Sequence, residues 1–273
     1  MGLHTNMNAK EIESIVREAG QILLSAHLQQ EDVHRKAGPA NFVTDYDLRI
    51  QSFLIGKLSE ACPDAAFFGE EDTEGNRYGV GDGLTFFIDP IDGTTNFLFD
   101  YRNSCVSVGL AEHGALAAGW VFDPYAERMY SAVRGDGAFL NGRRLRMEDR
   151  SIDDGIVAFG CARYNDGGAA RMARIVEKLF LGSLAIRNGG SAAIDLCRIA
   201  GGSNAGYIEL LLQPYDYAAA SVIIREAGGV ITQPDGSPVT LDKPCPVIAG
   251  TKTAHKEILE IYAETADSAE RSG

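Results

Sequence analysis

Residues 87–97 read Phe87-Ile88-Asp89-Pro90-Ile91-Asp92-Gly93-Thr94-Thr95-Asn96-Phe97. The pattern predicts an apolar strand that ends at Asp89, a position where α/β and α+β folds tend to place functional residues. Asp92 follows three residues later, so the two carboxylates can converge on one point. Gly93 lets the backbone approach a ligand closely. The segment Gly93-Thr94-Thr95 then opens a helix or turn, whose free N–H groups favour an anion.

Carboxylates beside anion-binding amides repel the anion unless cations lie between them. Oxygen ligands of this kind select Mg²⁺, Mn²⁺ or Ca²⁺, and Mg²⁺ commonly combines a few carboxylates with substrate phosphate oxygens. The segment therefore indicates metal-assisted phosphate chemistry. The alternative from spacing alone is an Asp-rich turn with helix caps and no ligand.

Two other acidic segments occupy similar positions. Gly69-Glu70-Glu71-Asp72 follows a short apolar run, and Asp216 stands just before a helix predicted over residues 217–227. Taken alone, the first is typical of a solvated charge run and the second of a helix N-cap. Three such acidic positions in one chain favour a shared site.

The composition excludes several classes of protein. The 273 residues carry 25 Lys and Arg against 38 Asp and Glu, a formal net charge of −13, which argues against a protein that wraps nucleic acid. No apolar run approaches the roughly 18 residues of a membrane span, and the N-terminus lacks the apolar core of a signal peptide. Five scattered cysteines without Cys-x-x-Cys spacing indicate reduced thiols. We expect a cytoplasmic protein without membrane or direct nucleic-acid partners.

The order of predicted elements divides the chain in two. Helical periodicity over residues 12–26 and a helix after Thr44 precede a run of mostly antiparallel strands. After a charged segment at residues 146–153, strands and helices alternate, which is typical of an α/β layer. We predict an α+β half over residues 1–145, an α/β half over residues 146–273, and the site between them in one compact catalytic unit.

The sequence resembles the inositol monophosphatase family of Mg²⁺-dependent, lithium-sensitive phosphatases. The segment from Asp89 to Phe97 matches the first signature of that family at every expected position. The other matching segments follow in order: Val43-Thr44-Asp45-Tyr46-Asp47, Gly69-Glu70-Glu71, residues 135–142, Gly190-Ser191-Ala192-Ala193, and Tyr215-Asp216-Tyr217-Ala218-Ala219 with Glu226-Ala227-Gly228-Gly229. One departure is Tyr215, where the family usually has Trp as a packing neighbour.

The resemblance implies a role for each matching residue. Two to three Mg²⁺ ions would be held, the first by Glu70, Asp89 and the Ile91 carbonyl and the second by Asp89, Asp92 and Asp216, with a weaker third ion near Glu70. Asp47 and Thr94, with Glu70, would position and deprotonate the attacking water. The remaining roles are substrate binding (Asp92, Gly93, Thr94, Thr95, Gly190, Ser191, Ala192, Glu209 and Asp216) and support of the site (Glu71 and Lys36).

The resemblance also implies fold and function. The fold would be a layered αβαβα sandwich of the sugar-phosphatase type, and the protein a homodimeric phosphomonoesterase that hydrolyses inositol 1-phosphate. Other substrates found in the family are fructose 1,6-bisphosphate, histidinol phosphate, 3′-phosphoadenosine 5′-phosphate and NADP, and a non-catalytic regulatory role is the alternative of another class. Paired acids also occur in aspartyl-phosphate enzymes, so spacing alone leaves a covalent route open; the resemblance favours direct attack by water.

Overall fold

The structure, a computed structural model, describes residues 8–26, 33–35, 42–71, 82–161 and 166–270. Within these ranges the helices are α1 (Ala9–Leu24), α2 (Asp45–Ala61), α3 (Thr94–Leu98), α4 (Asp166–Gly182), α5 (Ala192–Ala200), α6 (Pro214–Ala227) and α7 (Lys252–Glu270). The strands are β1 (Val33–Arg35), β2 (Phe42–Thr44), β3 (Ala66–Gly69), β4 (Leu84–Asp92), β5 (Cys105–Glu112), β6 (Ala115–Asp123), β7 (Arg128–Val133), β8 (Gly137–Leu140), β9 (Arg143–Arg144), β10 (Ile156–Phe159), β11 (Ala185–Arg187), β12 (Gly206–Leu212), β13 (Val230–Thr232) and β14 (Cys245–Gly250).

Two larger sheets form the framework. The first has seven strands in the order β3-β4-β5-β6-β7-β8-β9, in which β3 and β4 run parallel and each later neighbour is antiparallel. The second has five strands in the order β11-β10-β12-β14-β13, with β10 parallel to β11 and β12. Strands β1 and β2 form a separate antiparallel pair.

Helices lie on both faces of each sheet. Helices α1 and α2 pack on one face of the seven-stranded sheet, α5 and α6 pack between the two sheets, and α4 and α7 cover the far face of the five-stranded sheet. The layers are therefore α, β, α, β, α, and the predicted layered sandwich is confirmed. The division into residues 1–145 and 146–273 stays a prediction, because α5 and α6 contact elements of both halves.

Local sequence explains the first two helices. Asn8 caps α1 by accepting a hydrogen bond from the Lys10 amide, and the predicted apolar face is buried. Helix α2 begins after Thr44 in a capping box: the Thr44 side chain accepts from the Asp47 amide, and the Asp47 carboxylate accepts from the Thr44 amide. Asp47, which the sequence assigns to the site, therefore also takes part in the cap that begins α2.

Helix α6 lies unusually close to the seven-stranded sheet. Gly109 on β5 and Gly119 on β6 are paired in register, and both face the helix. A Cβ atom at Gly119 would lie 2.7 Å from the Cα atom of Ala219, and one at Gly109 would lie 2.7 Å from the Cβ atom of Ala218. The two glycines therefore form a slot that only small residues on both sides allow.

The far end of α6 is also attached to this sheet. The Glu226 carboxylate accepts hydrogen bonds of 2.9 Å from the amides of Gly135 and Gly137, in the turn between β7 and β8. Gly135 and Gly137 have φ values of 89° and 97°, a left-handed conformation that favours glycine. The turn thereby presents two neighbouring amides to one carboxylate.

Several details differ from the sequence-based expectation, among them the short strands β1, β2 and β9, which were not predicted. Strand β4 continues through Pro90 to Asp92, with an irregularity in its pairing to β5 between Asp89 and Asp92, so Asp89 lies within the strand. Helix α6 begins at Pro214, which places Asp216 inside its first turn. Strand β13 was missed, because its three residues after Gly228-Gly229 are too few to show a period.

No helix within the described ranges is long and apolar enough to span a membrane.

The slot under α6 predicts opposite effects for two glycine substitutions. Gly119→Ala should lower the free energy of unfolding by about 1–3 kcal/mol, because the new methyl group overlaps the Ala219 backbone. Gly56→Ala, on an open face of α2 with no atom within 4 Å of the new Cβ, should raise it by about 0.5–1 kcal/mol. Urea unfolding of both variants tests this, and equal stability of the two would contradict the slot.

Candidate active site

Glu70 and Asp89 lie side by side because β3 and β4 are parallel. Gly69 pairs with Ile88 across β3 and β4, so that Glu70 leaves β3 next to Asp89 on β4. The Glu70 amide donates to the Ile88 carbonyl at 3.0 Å, which continues the ladder by one residue. Asp92 follows on the same strand. The apolar strand pattern thereby delivers these carboxylates to one edge of the sheet.

Asp89 lies at the centre of the acidic group. Its side chain is buried, and Oδ1 accepts a hydrogen bond from the Ile91 amide at 3.1 Å. Burial raises its pKa well above the ordinary value, and the negative charges of Glu70, Asp92, Asp216 and Asp47 raise it further. The Asp89 carboxylate is therefore unstable as an anion unless a positive charge joins the group.

Helix α6 contributes Asp216 to this group from another layer. The Asp216 carboxylate accepts a hydrogen bond of 2.7 Å from the Gln213 amide and so caps its own helix. Burial raises the pKa of Asp216 well above normal, followed by the charges of Asp92 and Glu70. Asp216 is therefore not the N-cap that its position before a helix suggested: Gln213 is the N-cap, and Asp216 is the third helical residue, where one carboxylate oxygen accepts from the Gln213 amide.

Asp92 is bound to the start of α5. Its Oδ2 atom accepts from the Ser191 hydroxyl at 2.6 Å and the Ala193 amide at 2.7 Å, and its Oδ1 atom accepts from the Ala192 amide at 3.3 Å. The Cys105 thiol also approaches Oδ2, at 3.8 Å. Burial raises the pKa of Asp92 to about 6, although these hydrogen bonds act in the opposite direction. Asp92 thus joins β4 to α5.

Asp47 reaches the same group from the first turn of α2. Its Oδ2 atom accepts from the Thr44 amide at 2.7 Å and the Thr44 hydroxyl at 2.6 Å. Its Oδ1 atom is buried without a hydrogen-bond partner. Burial raises the pKa of Asp47 to about 7, and the charges of Glu70 and Glu71 contribute to the increase.

These observations fit a divalent cation with a preference for oxygen ligands. The group consists of mutually repelling carboxylates, and the Asp47 oxygen without a partner is a polar atom that calls for a ligand or water. Within the described residues, however, no three or more His, Cys, Asp or Glu side chains form a group that could hold a metal ion by themselves. Water and substrate oxygens would have to complete the coordination, as is common for Mg²⁺.

Helix α3 begins immediately after Asp92. Gly93, its N-cap, has φ of 93°, and a Cβ atom there would lie 3.0 Å from the carbonyl oxygens of Asn103 and Gly190. The Thr94 hydroxyl donates to the Ile91 carbonyl at 3.2 Å, and Thr95 is exposed. The first amides of a helix have no partner within it, so α3 can present N–H groups beside the carboxylates.

The segment before α5 closes another side of the site. Gly190 is exposed, whereas Ser191 is buried and caps α5. The Ser191 hydroxyl and the Ala192 amide already bind Asp92. Direct contact of these two residues with a substrate stays a prediction.

Glu209 lies on β12, across the site from the sheet with Asp89. It is 8% exposed, and its Oε2 atom accepts a hydrogen bond of 2.5 Å from the Tyr207 hydroxyl. Burial raises the pKa of Glu209 to about 7, and the charges of Asp92 and Asp195 also raise it. The negative charge of Asp92 therefore acts on Glu209, and contact of Glu209 with a substrate stays a prediction.

The supporting residues were only partly foreseen. Lys36 lies outside the described residues. Glu71 is held by Gln51, whose side chain accepts from the Glu71 amide at 2.9 Å and donates to the Glu71 carbonyl at 2.6 Å. Gln51 was missed, although its position four residues after Asp47 on α2 places both on one helix face.

Two asparagines were missed as supports of the Gly190 segment. Asn96 and Asn103 each donate a hydrogen bond of 2.8 Å to the Gly189 carbonyl. Asn96 lies within the 87–97 segment, but its partner is 93 residues away, so sequence spacing could not identify the contact. Tyr215, at the position of the departure, packs against Phe68 with 6.3 Å between ring centroids.

Comparison with known proteins supplies independent information. The model of the inositol monophosphatase family matches residues 7–268. The inositol-1-monophosphatase of Bacillus subtilis (strain 168) is 32% identical over 265 residues, which cover 93% of this chain and 97% of that protein. The structure of the extragenic suppressor protein suhB from Bartonella henselae is similar with a TM-score of 0.85 and 29% identity, covering 93% and 97% of the two chains. A staphylococcal IMPase-II structure has a TM-score of 0.80 and 27% identity, covering 96% of this chain and 95% of that chain.

The raised pKa values predict how pH affects the stability of metal-free protein. Asp47 and Glu209 at about 7 and Asp92 at about 6 exceed the unfolded values of about 4, so the folded state binds more protons between these limits. The melting temperature of EDTA-treated protein should therefore fall as pH rises from 5 to 8, although His255, whose pKa burial lowers, acts in the opposite direction. Added Mg²⁺ should raise the melting temperature more at pH 8 than at pH 5, because carboxylates bind metal when deprotonated. A metal-free melting temperature that rises over this range would refute the expectation.

Removal of the charge at Asp89 and at Asp92 should change the stability of the metal-free protein in opposite directions. Asp89→Asn should stabilise the metal-free protein at pH 8, because Oδ1 can still accept from Ile91 while the repulsion decreases. Asp92→Asn should destabilise it by about 1–3 kcal/mol, because an amide NH₂ would face donors at the start of α5. Thermal melts at pH 8, with the exposed Asp64→Asn as a control near wild type, measure the difference. Two variants with the same melting temperature would contradict these hydrogen bonds.

Proposed function

The chain belongs to the inositol monophosphatase family and is a phosphoric monoester hydrolase, and we propose that it hydrolyses inositol 1-phosphate to inositol and phosphate with Mg²⁺. The observation that carries this proposal is the parallel pairing of β3 and β4. It sets Glu70 beside Asp89, within a few residues of the amides that open α3. Acids and anion-binding amides in one place require a cation between them, as metal-assisted phosphate chemistry does.

The carboxylates divide into two proposed sets. Glu70, Asp89 and the Ile91 carbonyl would hold one ion, and Asp89, Asp92 and Asp216 a second, with a weaker third ion near Glu70. When bound, such ions lower the pKa of water and stabilise negative charge on phosphate oxygens. The repulsion that raises the pKa of Asp89 and Asp216 would then be offset.

Asp47 and Thr94 would position and deprotonate the attacking water, with Glu70 beside it. The Asp47 Oδ1 atom is available because Thr44 occupies only Oδ2, and a pKa of about 7 suits a group that accepts a proton near neutral pH. The Thr94 hydroxyl donates to the Ile91 carbonyl, so its oxygen can accept a hydrogen bond from that water. Direct attack needs no covalent phosphoenzyme; recovery of an aspartyl phosphate from labelled substrate would overturn this route.

The substrate would lie between α3 and β12. The amides of Gly93, Thr94 and Thr95 would bind the phosphate, and Asp92, Asp216, Glu209 and the Gly190-Ser191-Ala192 segment would line the alcohol side. A carboxylate such as Glu209 accepts hydrogen bonds from hydroxyl groups, which favours a polyol. The similar staphylococcal IMPase-II has been crystallised with inositol monophosphate bound to it.

A second substrate class is favoured by another ligand of the same relative. A further crystal structure of the staphylococcal IMPase-II, 27% identical to this chain, has 2′AMP bound to that protein. This favours 3′-phosphoadenosine 5′-phosphate and NADP as competitors, with fructose 1,6-bisphosphate and histidinol phosphate as the other family substrates. We further propose a cytoplasmic homodimer that lacks direct nucleic-acid partners.

A panel of phosphoesters should establish the substrate. We expect phosphate release to require Mg²⁺, to be inhibited by lithium, and to show its highest kcat/KM with inositol 1-phosphate. Asp216→Asn should reduce kcat by about 100-fold or more through loss of a metal ligand, whereas the exposed Asp64→Asn should retain wild-type rates. If inositol 1-phosphate ranks last, the substrate assignment fails. If the protein hydrolyses none of the panel, a regulatory role replaces catalysis.

A further inference from the structure

The hydrogen bond between Tyr207 and Glu209 has features that packing alone does not require. Both residues lie on β12, two positions apart, and therefore on the same face of the strand. The Tyr207 side chain is 1% exposed, and its hydroxyl donates to Oε2 of Glu209 at 2.5 Å. A buried phenol that serves one carboxylate oxygen leaves the other oxygen free of that contact.

The backbone opposite also accommodates this carboxylate. Gly160 follows β10, and its amide donates to the Ile208 carbonyl on β12 at 3.1 Å. A Cβ atom at Gly160 would overlap the Glu209 carboxylate. Glu209 is therefore confined between the Gly160 backbone and the Tyr207 hydroxyl, and its direction is fixed by both.

The surrounding charges are unfavourable to an ionised Glu209. The negative charges of Asp92 on β4 and Asp195 on α5 raise the pKa of Glu209, and the charge of Glu209 raises the pKa of Asp216 on α6. Asp195 itself forms an ion pair with Arg198 at 3.0 Å. The Tyr207 hydrogen bond acts in the opposite direction and lowers the pKa of Glu209. The pKa of the Tyr207 phenol is in turn raised well above normal by burial and by Glu209, so the phenol keeps its proton to donate.

We propose that Tyr207 is a positioning residue that holds Oε2 of Glu209, so that Oε1 accepts hydrogen bonds from hydroxyl groups of a polyol phosphate. This inference rests on the proposed function and deepens it, because it assigns the preference for polyols to a pair of residues. A phosphoester without hydroxyl groups on its alcohol side gains nothing from the pair. Selectivity for polyols over aryl phosphates should therefore depend on the Tyr207 hydroxyl.

Tyr207→Phe removes the hydroxyl and keeps the buried ring. With inositol 1-phosphate we expect kcat/KM to fall by about 10- to 100-fold, mainly through KM, as for the loss of a hydrogen bond to a charged group. With p-nitrophenyl phosphate we expect less than about a twofold change. The acidic limb of kcat/KM for inositol 1-phosphate should move to higher pH, because Glu209 would then bind its proton more tightly.

Two further variants separate positioning from a structural role. Tyr130→Phe removes a hydroxyl from another buried tyrosine, whose hydroxyl lies beside Gly201 after the C-terminal end of α5, and should leave both substrates unaffected. Glu209→Gln should show the same substrate-selective loss, and adding Tyr207→Phe to it should cause less than about a twofold further loss, because the two residues act as one unit. If Tyr207→Phe folds poorly, the cycle is lost, and the Glu209→Gln arm alone then tests whether the Glu209 carboxylate gives the preference for polyols.

The outcomes distinguish this inference from the proposed function. Equal losses with both substrates, or additive effects of Tyr207→Phe and Glu209→Gln, would overturn the positioning role. Wild-type protein that hydrolyses p-nitrophenyl phosphate but not inositol 1-phosphate would refute the proposed substrate. A selective loss with a shifted acidic limb and a non-additive cycle supports the inference.

Discussion

Repulsion among buried carboxylates is the constraint around which this molecule is organised. Asp89, Asp92, Asp216 and Asp47 come from three different layers and each has a raised pKa, with burial as the largest cause. Such a group destabilises a metal-free fold, because each charge loses its hydration and faces others of the same sign. The rest of the structure therefore has to hold these groups together against a force that drives them apart.

The protein counters this force with backbone geometry. Parallel pairing sets Glu70 next to Asp89, the start of α5 binds Asp92, and the Gly109–Gly119 slot brings α6 near enough for Asp216 to join. Each acid is also tied to a local amide: Asp89 to Ile91, Asp216 to Gln213 and Asp47 to Thr44. The same hydrogen bonds that cap helices thus aim carboxylates, so that local folding and the geometry of the site share their interactions.

Much of the fold and part of the acidic group could be predicted, because their signals lie in residues that are neighbours in the sequence. The capping pair Thr44 and Asp47, the apolar face of α1 and the order of strands and helices depend on neighbours within a few residues. The 87–97 segment identified the acids and the family. Its local conformation was less predictable: the strand was expected to end at Asp89, but β4 continues past Pro90, since an irregular pairing with β5 accommodates the proline.

What could not be predicted depends on contacts between distant segments. Gln51 holds Glu71 from 20 residues away, and Asn96 reaches Gly189 from 93 residues away. The partner of Glu209 is only two residues distant, yet the importance of Tyr207 depends on burial and on Gly160, which become visible only when β10 and β12 lie side by side. Charge patterns in a sequence indicate which groups meet, but they do not indicate which oxygen of each group remains available.

The attachment of Glu226 to the amides of Gly135 and Gly137 has a mechanical consequence. Helix α6 is restrained at its first turn by Tyr215, which packs against Phe68, and at its last turn by the hairpin between β7 and β8, with the glycine slot between them. A rod held at both ends and along its length can neither slide along its axis nor tilt. The position of Asp216 is therefore fixed in part by contacts at the other end of its helix, in the hairpin between β7 and β8.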